Sequence, residues 1–558
     1  MKKRCRQSGV EFEISPEEAQ FYESLELPLP RLCPEERQRR RIAYRNFRTL
    51  CYRPCDATQK RILSMYSQDC PFPVYETNYW WSDAWSAFDY GRAIDFQRPF
   101  FEQYQALAAA VPRFPIMNLQ SENCGYSNFV FRAKDCYLVF GCVDNDSCMY
   151  GHIVWESENC VDNLYVYRSQ WCSNCVDCVE CYDVHYSFES TGCTESYFLY
   201  DCRSCSNCFG CWNLRGAQYC LFNQQFSREE YKQSMQQMFP MTWEKIEYVS
   251  GLLEERRRAE CVVPEHFGLK NEDVSGNHIY ESKNLENCWD AKVLENCRHC
   301  YTVLNTNNSH DISFTAGPVQ FCADVLTVTG CERVFYSHML SNCSDSYLSE
   351  FCFNCRDVFG CIGLRNAQYC IFNKQYSKDD YFALRKRLIA HMEQTEEWGE
   401  FFPIKDSPFA YNESIVNEYY PLTKQEAQSL GWRWKERNVP SAVPAAESAP
   451  KTINEADSET CKRVFKCQKS GQAYKVIPQE LDFYRRIGLP LPSYCPDVRH
   501  EQRMNLRSAR RLEPRTCAKC KGAILTAHTE TAETKLLCQD CYQNVLHASI
   551  DTPLRAND

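Results

Sequence analysis

The spacing of the cysteines between Cys124 and Cys220 constrains the fold more than any other feature of this sequence. Every cysteine in this stretch lies a multiple of three residues from every other, and the stretch divides into segments of twelve or nine residues that each begin with cysteine. A helix of 3.6 residues per turn loses such a phase within a few turns, and a strand period of two does not produce it. A chain that winds in short coils of fixed length does produce it. The alternating runs at 129–131 and 165–167 predict short strands within these coils.

The pattern occurs twice along the chain. An offset of 150 carries seven cysteines of the first copy onto cysteines of a second: Cys172, Cys181, Cys193, Cys202, Cys205, Cys211 and Cys220 fall on Cys322, Cys331, Cys343, Cys352, Cys355, Cys361 and Cys370. We therefore predict a mainly β fold, a duplicated cysteine-laddered β-solenoid with capping helices and a small zinc-ribbon-like module at each end.

The two ends of the chain are also copies of each other. An offset of 462 aligns the four residues Cys5, Cys33, Arg37 and Cys55 with Cys467, Cys495, Arg499 and Cys517. In each copy a proline opens a short helix containing Phe-Tyr, the run Leu-Pro-Leu-Pro ends it, and a basic segment follows.

These repeats divide the chain into a series of segments. We predict a degenerate zinc-ribbon-like module at 1–70, an aromatic cap segment at 71–120, a first solenoid lobe at 121–223, a helical connector at 224–270, a second lobe at 271–373, a helical cap at 374–436, a Pro/Ala/Ser-rich linker at 437–460 and a zinc-binding domain at 461–558. The aromatic segment is expected to cover the open first coil, because a solenoid needs a cap over its exposed strand edge.

Ser227 and Ser377, each three residues before an acidic side chain, predict capping boxes at the starts of helices near 228–260 and 378–397.

Charge and cysteine content limit the class of protein. The formal net charge of −10 argues against a globally nucleic-acid-binding surface but leaves room for a local basic patch. The N-terminus lacks the apolar segment of a secretory signal, and no apolar run reaches the ~18 residues that span a bilayer. Because a reducing cytosol keeps thiols reduced, the 38 cysteines indicate metal ligands or small buried side chains rather than disulfides. We expect a cytoplasmic protein without a membrane segment.

The strongest local motif lies near the C-terminus. Two C-x2-C pairs, Cys517 with Cys520 and Cys538 with Cys541, are separated by seventeen residues. Such pairs present four thiolates to a tetrahedral Zn²⁺, and a closed set of four leaves no coordination position for a catalytic water. The sequence therefore predicts a structural zinc site.

The end modules retain only half of a comparable ligand set. A full zinc ribbon would have cysteine at the positions of Ser8, Glu36, Ser470 and Val498. Three interpretations are open: the modules are decayed and held by packing, which is favoured; or Cys51 and Cys55 complete the first site; or four residues form one composite site, namely Cys5, Cys33, Cys467 and Cys495.

The densest cysteine runs invite a comparison with iron–sulfur proteins. Each run has three x2 gaps, and the members are Cys172, Cys175, Cys178, Cys181, Cys202, Cys205, Cys208 and Cys211. A ferredoxin run ends with a wider gap, and the second copy has Val358 at the position of Cys208, which a ligand would not allow. Since adjacent coils lie ~4.8 Å apart, the ladder is compatible with disulfides, with Zn²⁺ or Cu⁺, or with packed thiols, of which packed thiols are favoured.

The basic segment of the N-terminal module is a candidate phosphate contact. Its members are Arg37, Arg39, Arg40 and Arg41. Basic helices beside zinc ribbons bind nucleic acid, whereas the favoured interpretation is a solvated face that balances an acidic protein. No hydrolase elbow, phosphate loop, zinc-protease motif or dinucleotide fingerprint occurs, so nothing predicts an enzyme.

With the motif FGC-x2-LR-x-A-Q-YC-x-FN present in both copies, the chain resembles the uncharacterised cysteine-rich repeat proteins of small-genome bacterial lineages. In that family, zinc-ribbon-like segments flank a Cys/Asn/Tyr-rich repeat region. The resemblance covers most of the chain and implies architecture, and the family brings no settled activity. Its end modules carry the full C-x2-C and C-P-x-C-R patterns, from which this chain departs at both ends.

The function predicted from the sequence is a non-enzymatic zinc-binding scaffold that engages a macromolecular partner, a protein rather than a nucleic acid. The second hypothesis is a thiol-based metal-handling or redox protein that uses the cysteine ladder, with an iron–sulfur cluster or Cu⁺ as the cofactor. The third is a nucleic-acid-associated zinc-ribbon protein.

Overall fold

The computed structural model describes residues 1–313, 319–320, 322–436, 447–528 and 535–550. They belong to two compact units, each assembled from separated parts of the chain. The first unit comprises Met1–Ile116, His266–Lys435 and Arg510–Glu513, and the second comprises Met117–Glu265, Glu436–Ala509 and Pro514–Asp558. Each unit thus joins one end of the chain to one copy of the cysteine-rich repeat.

The predicted fold class, a mainly β protein built on a duplicated β-solenoid, is wrong. The structure is a mixed α/β fold with several parallel sheets, in which 25% of the residues are helical and 30% lie in strands. The cysteine spacing carries information only about the strands of the repeats. These strands are short, since one such as Phe140–Val143 has only four residues. The long helices Trp243–Glu260 and Lys378–Gln394 lie outside the repeats, in the two regions where the capping pattern predicted helices, and they add to the helical content of the fold.

In the second unit, the first copy of the repeat forms two sheets of short parallel strands. One sheet contains Asn118–Leu119, Asn128–Phe131, Phe140–Val143, His152–Trp155 and Leu164–Tyr167; the other contains Tyr182–His185, Thr194–Tyr197, Ser206–Phe209, Gln218–Leu221 and the antiparallel Gln224–Gln225. Paired residues on neighbouring strands are twelve positions apart, as Val154 and Val166 are. The twelve-residue length of the sequence segments is therefore the number of residues from one strand to the next strand that pairs with it.

The backbone of this copy explains the cysteine phase. Every third residue from Gln120 to Phe222 has a positive φ, between 47° and 66°. The buried hydrophobic core of the copy consists of residues that directly follow such a position, and most of them are cysteine or valine. Because one left-handed residue recurs in every three, the side-chain direction also repeats every three residues. Neither a helix nor an ordinary strand has this period.

The thiols in this core are hydrogen-bonded to the backbone. Cys178 is completely buried, and its thiol donates to the carbonyl oxygens of Val176 at 3.4 Å and Ser187 at 3.5 Å. The same two acceptors, two residues before and nine residues after the cysteine, serve Cys136, Cys142, Cys148, Cys172, Cys175, Cys181, Cys193, Cys202, Cys208 and Cys211. All 38 cysteines are free thiols. This arrangement favours packed thiols over disulfides.

In the first unit, the second copy of the repeat forms one ten-stranded sheet. Its strands, in order, are Gly268–Leu269, Glu272–Tyr280, Lys283–Arg298, Tyr301–Asn307, Val319–Gln320, Cys331–Phe335, Ser344–Tyr347, Arg356–Phe359, Gln368–Ile371 and Lys374–Gln375, with Leu326–Thr329 and His338–Ser341 paired beside it. Most paired residues are again twelve positions apart, but Asn307 pairs with Gln320. This single extra residue shifts the alignment of the two copies, so that Asp311 corresponds to Asp162.

The helices lie at the ends of the repeats and in the end modules. The first unit contains Pro16–Ser24, Pro34–Ile42, Thr77–Trp81, Phe100–Ala108, Lys378–Gln394, Val416–Tyr419 and Lys424–Ser429; the second contains Arg228–Met238, Trp243–Glu260, Pro478–Ile487, Pro496–Met504 and Gln539–Ile550. The predicted capping box at Ser227 is confirmed, with Glu230 as its acidic member. The remaining small sheets pair Lys2–Arg4 with Glu11–Glu13, Cys51–Pro54 with Arg61–Ser64, Phe465–Lys466 with Ala473–Tyr474, Glu513–Thr516 with Ala523–Thr526, and Val262–Pro264 with Lys535–Leu537.

The aromatic segment packs against the second copy of the repeat. Trp80 is fully buried, and its ring lies 5.8 Å from that of Phe353. Phe100 stacks on Phe372 at 5.2 Å and meets Phe359 edge-on at 5.6 Å. The segment therefore covers the last strands of the second copy, whereas the sequence pointed to the first coil of the first copy, which directly follows it in the chain.

Candidate metal centre

The first half of the candidate metal centre is a tight turn that begins at Cys517. The Cys517 N–H donates to the Gly522 carbonyl at 2.9 Å, and the Lys521 N–H donates back to the Cys517 carbonyl at 3.0 Å. Lys521 adopts the left-handed conformation that closes the turn, with φ at 65°. The turn brings Cys520 back beside Cys517, as two ligands of one metal must be.

The second half lies where a strand meets a helix. Cys538 directly follows the strand Lys535–Leu537, and Cys541 lies in the first turn of the helix Gln539–Ile550. A hydrogen bond of 2.8 Å from the Ala518 N–H to the Leu536 carbonyl joins the two halves.

The four sulfur atoms converge on one point. The Sγ atoms of Cys517, Cys520, Cys538 and Cys541 all lie within 4.8 Å of one another, and that of Cys520 is 3.7 Å from that of Cys538. Cys517 is buried, Cys520 is exposed, and the other two are half-buried. Among the residues that the structure describes, this is the only all-cysteine group of three or more ligands that could hold a metal ion. The sequence prediction that these four residues come together as possible metal ligands is confirmed.

The backbone around Cys517 favours its thiolate. Burial opposes ionisation, but N–H groups of Cys538, Cys520 and Lys519 donate to the sulfur and lower the pKa of Cys517 to about 6. Hydrogen bonding to Cys538 raises the pKa of Cys541 to about 12. A bound cation would favour ionisation of all four thiols.

The metal centre is anchored to the first copy of the repeat within the second unit. The strand Lys535–Leu537 pairs in parallel with Val262–Pro264. The Tyr542 hydroxyl donates to Asp201 and accepts a hydrogen bond of 2.7 Å from Arg215. The local hydrophobic core is small, with buried members Val263, Cys517, Ile524, Leu536, Leu537, Tyr542 and Leu546. A domain with so small a core gains stability from a bound metal.

The same turn occurs near the N-terminus without the ligands. The Cys55 N–H donates to the Lys60 carbonyl at 2.8 Å, and the Gln59 N–H donates to the Cys55 carbonyl at 2.9 Å, with Gln59 at a φ of 58°. The offset of 462 places Thr58, Glu76 and Tyr79 where the metal centre has its other three cysteines. Sequence reasoning aligned Cys55 with Cys517 but missed these three replacements, although the offset alone reveals them.

The structure does not gather further cysteines around Cys55. The Cys51 thiol donates to the Tyr66 carbonyl at 3.4 Å, and neither Cys51 nor Cys55 belongs to a group of three or more metal-ligating atoms within the described part of the chain. The composite site of Cys5, Cys33, Cys467 and Cys495 stays a prediction, because its residues belong to separate units.

The ladder cysteines form no comparable group in the described residues. Cys208 pairs with Cys220 in the first copy just as Val358 pairs with Cys370 in the second, so valine occupies the structural position of a ladder cysteine. An apolar side chain at this position is consistent with packing and not with metal ligation.

The basic segment that sequence analysis linked to phosphate is buried. Arg37 Nε lies 2.8 Å from an Asp311 carboxylate oxygen, and Arg41 Nη1 lies 3.5 Å from the other. Tyr22 donates to the same carboxylate at 3.3 Å, and Glu18 pairs with Arg37 at 3.4 Å. Burial opposes ionisation of Asp311, but the two guanidinium groups outweigh it and lower its pKa.

The other two arginines are also paired with carboxylates. Arg40 lies 2.8 Å from Glu400, and the half-buried Arg39 lies 2.7 Å from Glu36. None of the four therefore belongs to a freely solvated face, and nucleic-acid binding by this segment remains a prediction that its position does not support.

The same network recurs in the second unit. Arg499 and Arg503 both pair with the buried carboxylate of Asp162, the latter at 2.8 Å. Tyr484 donates to Asp162 at 3.3 Å, and Glu480 pairs with Arg499 at 3.1 Å. These residues are the 462-offset copies of Arg37, Arg41, Tyr22 and Glu18. In each unit, the basic segment thus docks an end module onto one copy of the repeat.

No family model matches this chain, and no curated protein matches it. Among solved structures, it is similar to a protein assigned as an acetyltransferase from Desulfovibrio desulfuricans G20; the match covers 48% of this chain and 72% of that chain, with 10% sequence identity and a TM-score of 0.10. At this TM-score the similarity shows nothing about fold or function. Within the part of the chain that is described, no helix combines the length and the hydropathy needed to cross a membrane.

Proposed function

We propose that this chain is a non-enzymatic zinc-binding scaffold whose C-terminal region holds one structural Zn²⁺ and whose repeats present a surface to a protein partner. The observation that carries the proposal is a contrast between two kinds of cysteine. Four cysteines converge with all sulfur atoms within 4.8 Å. The thiols of the repeats instead donate to backbone carbonyls in a buried core.

The geometry of the convergent group suits Zn²⁺. Sulfur ligands ~2.3 Å from a tetrahedral zinc lie ~3.8 Å from one another. The Cys520 and Cys538 sulfurs are 3.7 Å apart. Four thiolates leave no coordination position for water, so the metal would hold the fold together and perform no chemistry. Tetrahedral sulfur sites also accept iron, which elemental analysis distinguishes.

The surface of the repeats supports the scaffold. Exposed asparagines twelve positions apart hydrogen-bond in rows, as Asn284, Asn296 and Asn308 do at 2.7 and 3.2 Å. Elsewhere oppositely charged side chains twelve positions apart form ion pairs, as the exposed Arg132 and Asp144 do at 2.6 Å. Rows that contain both signs of charge suit a protein partner better than a polyanion, which requires a basic surface.

The metal content of matched variants tests the zinc assignment. We expect protein purified without added metal to contain one zinc per chain, and Cys517→Ser to contain at least tenfold less, because three thiolates and a hydroxyl bind Zn²⁺ far more weakly. Cys55→Ser is the matched control, since Cys55 occupies the equivalent turn, and it should retain the full zinc content. Inductively coupled plasma mass spectrometry measures both.

A thiol count on the same samples separates packed free thiols from disulfides, and the metal count separates the scaffold from the metal-handling hypothesis. After chelation and denaturation, a packed thiol core should release nearly all 38 thiols. Several metals per chain, an iron–sulfur absorbance or zinc retained by Cys517→Ser would each contradict the proposal.

A further inference from the structure

The end modules retain the turn that holds a metal-binding thiolate. The Cys5 N–H donates to the Val10 carbonyl at 2.8 Å, and the Gly9 N–H donates to the Cys5 carbonyl at 2.9 Å, with Gly9 at a φ of 72°. The copy at Cys467 has the same two hydrogen bonds, at 2.8 and 2.9 Å, and closes at Gly471 with a φ of 71°. Both turns match the one at Cys517 in the candidate metal centre.

A second thiol faces each of these turns from the start of a helix. Cys33 is the N-cap of the helix Pro34–Ile42, and Cys495 is the N-cap of the helix Pro496–Met504. The N–H groups of Glu36 and Val498 donate to these two sulfurs. Burial raises the pKa of Cys33 to about 11 and also raises the pKa of Cys495, and these N–H donors oppose the rise.

The two thiols of each pair lie within one buried cluster. Cys5 and Cys33 pack with Leu32, and Cys467 and Cys495 belong to one larger core, in which the Ser470 N–H donates to the Cys467 sulfur at 3.5 Å. Cys5 is 2% exposed, Cys33 7%, Cys467 1% and Cys495 3%. A serine hydroxyl lies beside each pair, Ser8 at 3.9 Å from the Cys33 sulfur and Ser470 at 3.6 Å from the Cys495 sulfur. Two thiols surrounded by N–H donors form a soft ligand set for a cation.

The two modules have kept the same two cysteines and lost the same two. Serine replaces one lost cysteine in both copies, while Glu36 and Val498 replace the other. The same pair of facing thiols is therefore present in both modules. Two thiolates without further sulfur ligands do not satisfy the tetrahedral preference of Zn²⁺, whereas soft thiolate ligands select Cu⁺.

We propose that the pairs Cys5 with Cys33 and Cys467 with Cys495 each bind one Cu⁺ between two thiolates. Binding forms two Cu–S bonds, releases the two thiol protons to solvent and leaves copper in the same oxidation state. The two copper sites are distinct from the zinc centre, so this chain would carry two kinds of thiolate metal site.

Competitive titration of the full-length, zinc-loaded protein with Cu⁺ tests the proposal. The titration is made without oxygen in the presence of a chromophoric Cu⁺ chelator such as bicinchoninate, and zinc is measured in every sample. We expect the wild-type protein to retain two copper ions per chain, Cys5→Ser and Cys467→Ser to retain one each, and the double variant to retain none. X-ray absorption of the loaded protein should show two sulfur ligands per copper.

Two further comparisons make the result specific. Cys33→Ser and Cys495→Ser alter the helix side of each pair and should reproduce the loss of one copper each. The Cys55 sulfur accepts hydrogen bonds from the backbone N–H groups of Thr58 and Glu76, so Cys55→Ser is a control that should retain both coppers.

The proposal is overturned if the wild-type protein retains no copper, or if the double variant retains as much copper as the wild type. It is also overturned if copper displaces zinc one for one, or if peptide mapping shows each pair joined as a disulfide in the reduced preparation. Failure of the zinc assignment would appear separately, as zinc retained by Cys517→Ser.

Discussion

Replacement of Asp162 by asparagine should lower the free energy of unfolding of the second unit by ~3–5 kcal/mol. Its carboxylate is fully buried and pairs with Arg499 and Arg503, which are also buried. The amide has nearly the same shape but no charge, so the variant keeps two guanidinium groups away from water without the anion between them. Removing one member of a buried ion network costs far more than the intact network contributes, because the remaining charges stay desolvated.

Denaturant unfolding combined with hydrogen exchange measures this effect. Amides of the helices Pro478–Ile487 and Pro496–Met504 should exchange faster in the variant, since the ion network docks both helices. Asp144→Asn is the control, because Asp144 pairs with Arg132 at the surface, where their side chains are 41% and 55% exposed. The control should change stability by less than ~1 kcal/mol. Equal effects of the two substitutions would contradict the docking role of Asp162.

The equivalent substitution in the first unit extends the test. Asp311 forms ion pairs with Arg37 and Arg41, just as Asp162 does with Arg499 and Arg503. Asp311→Asn should therefore speed exchange in the helices Pro16–Ser24 and Pro34–Ile42. An effect confined to one of the two aspartates would show that the duplicated networks are not energetically equivalent.

Replacement of Cys208 by aspartate should destabilise the second unit by at least ~4 kcal/mol, whereas replacement by valine should cost less than ~1.5 kcal/mol. Cys208 is completely buried, and its thiol donates to the carbonyls of Ser206 at 3.4 Å and Ala217 at 3.6 Å. An aspartate has no proton to donate and would place a negative charge against these oxygens. Valine fits because Val358 holds the same position in the second copy.

Thermal or denaturant unfolding of the two Cys208 variants measures the difference. Asn207→Asp is the matched control, because it adds the same charge one residue earlier at a half-buried position. It should remain much closer to the wild type than Cys208→Asp. If Cys208→Val lost a bound metal or proved as damaging as Cys208→Asp, the ladder cysteines would be ligands rather than packed thiols.

The four residues of the candidate metal centre could be predicted from the sequence, because they come as two close pairs of cysteines with the spacing of metal ligands. The period of three was also readable, since the buried core residues of the first copy each follow a left-handed residue and cysteine occupies many of these core positions. The duplications at offsets of 150 and 462 needed only comparison of the chain with itself. These features are local or repetitive, so the order of residues specifies them directly.

The fold class and the role of the arginines depended on contacts between distant residues. The charges of Arg37 and Arg41 suggested a solvated or phosphate-binding face, because their counterion Asp311 is far away in the chain. The aromatic segment likewise lies directly before the first copy in sequence but packs on Phe353 and Phe372 of the second. A period in the sequence specifies which side chains face inward, but it carries no information about which end module covers which copy. Tertiary structure decides that pairing, because a buried arginine is stable only where a carboxylate from elsewhere in the chain compensates its charge.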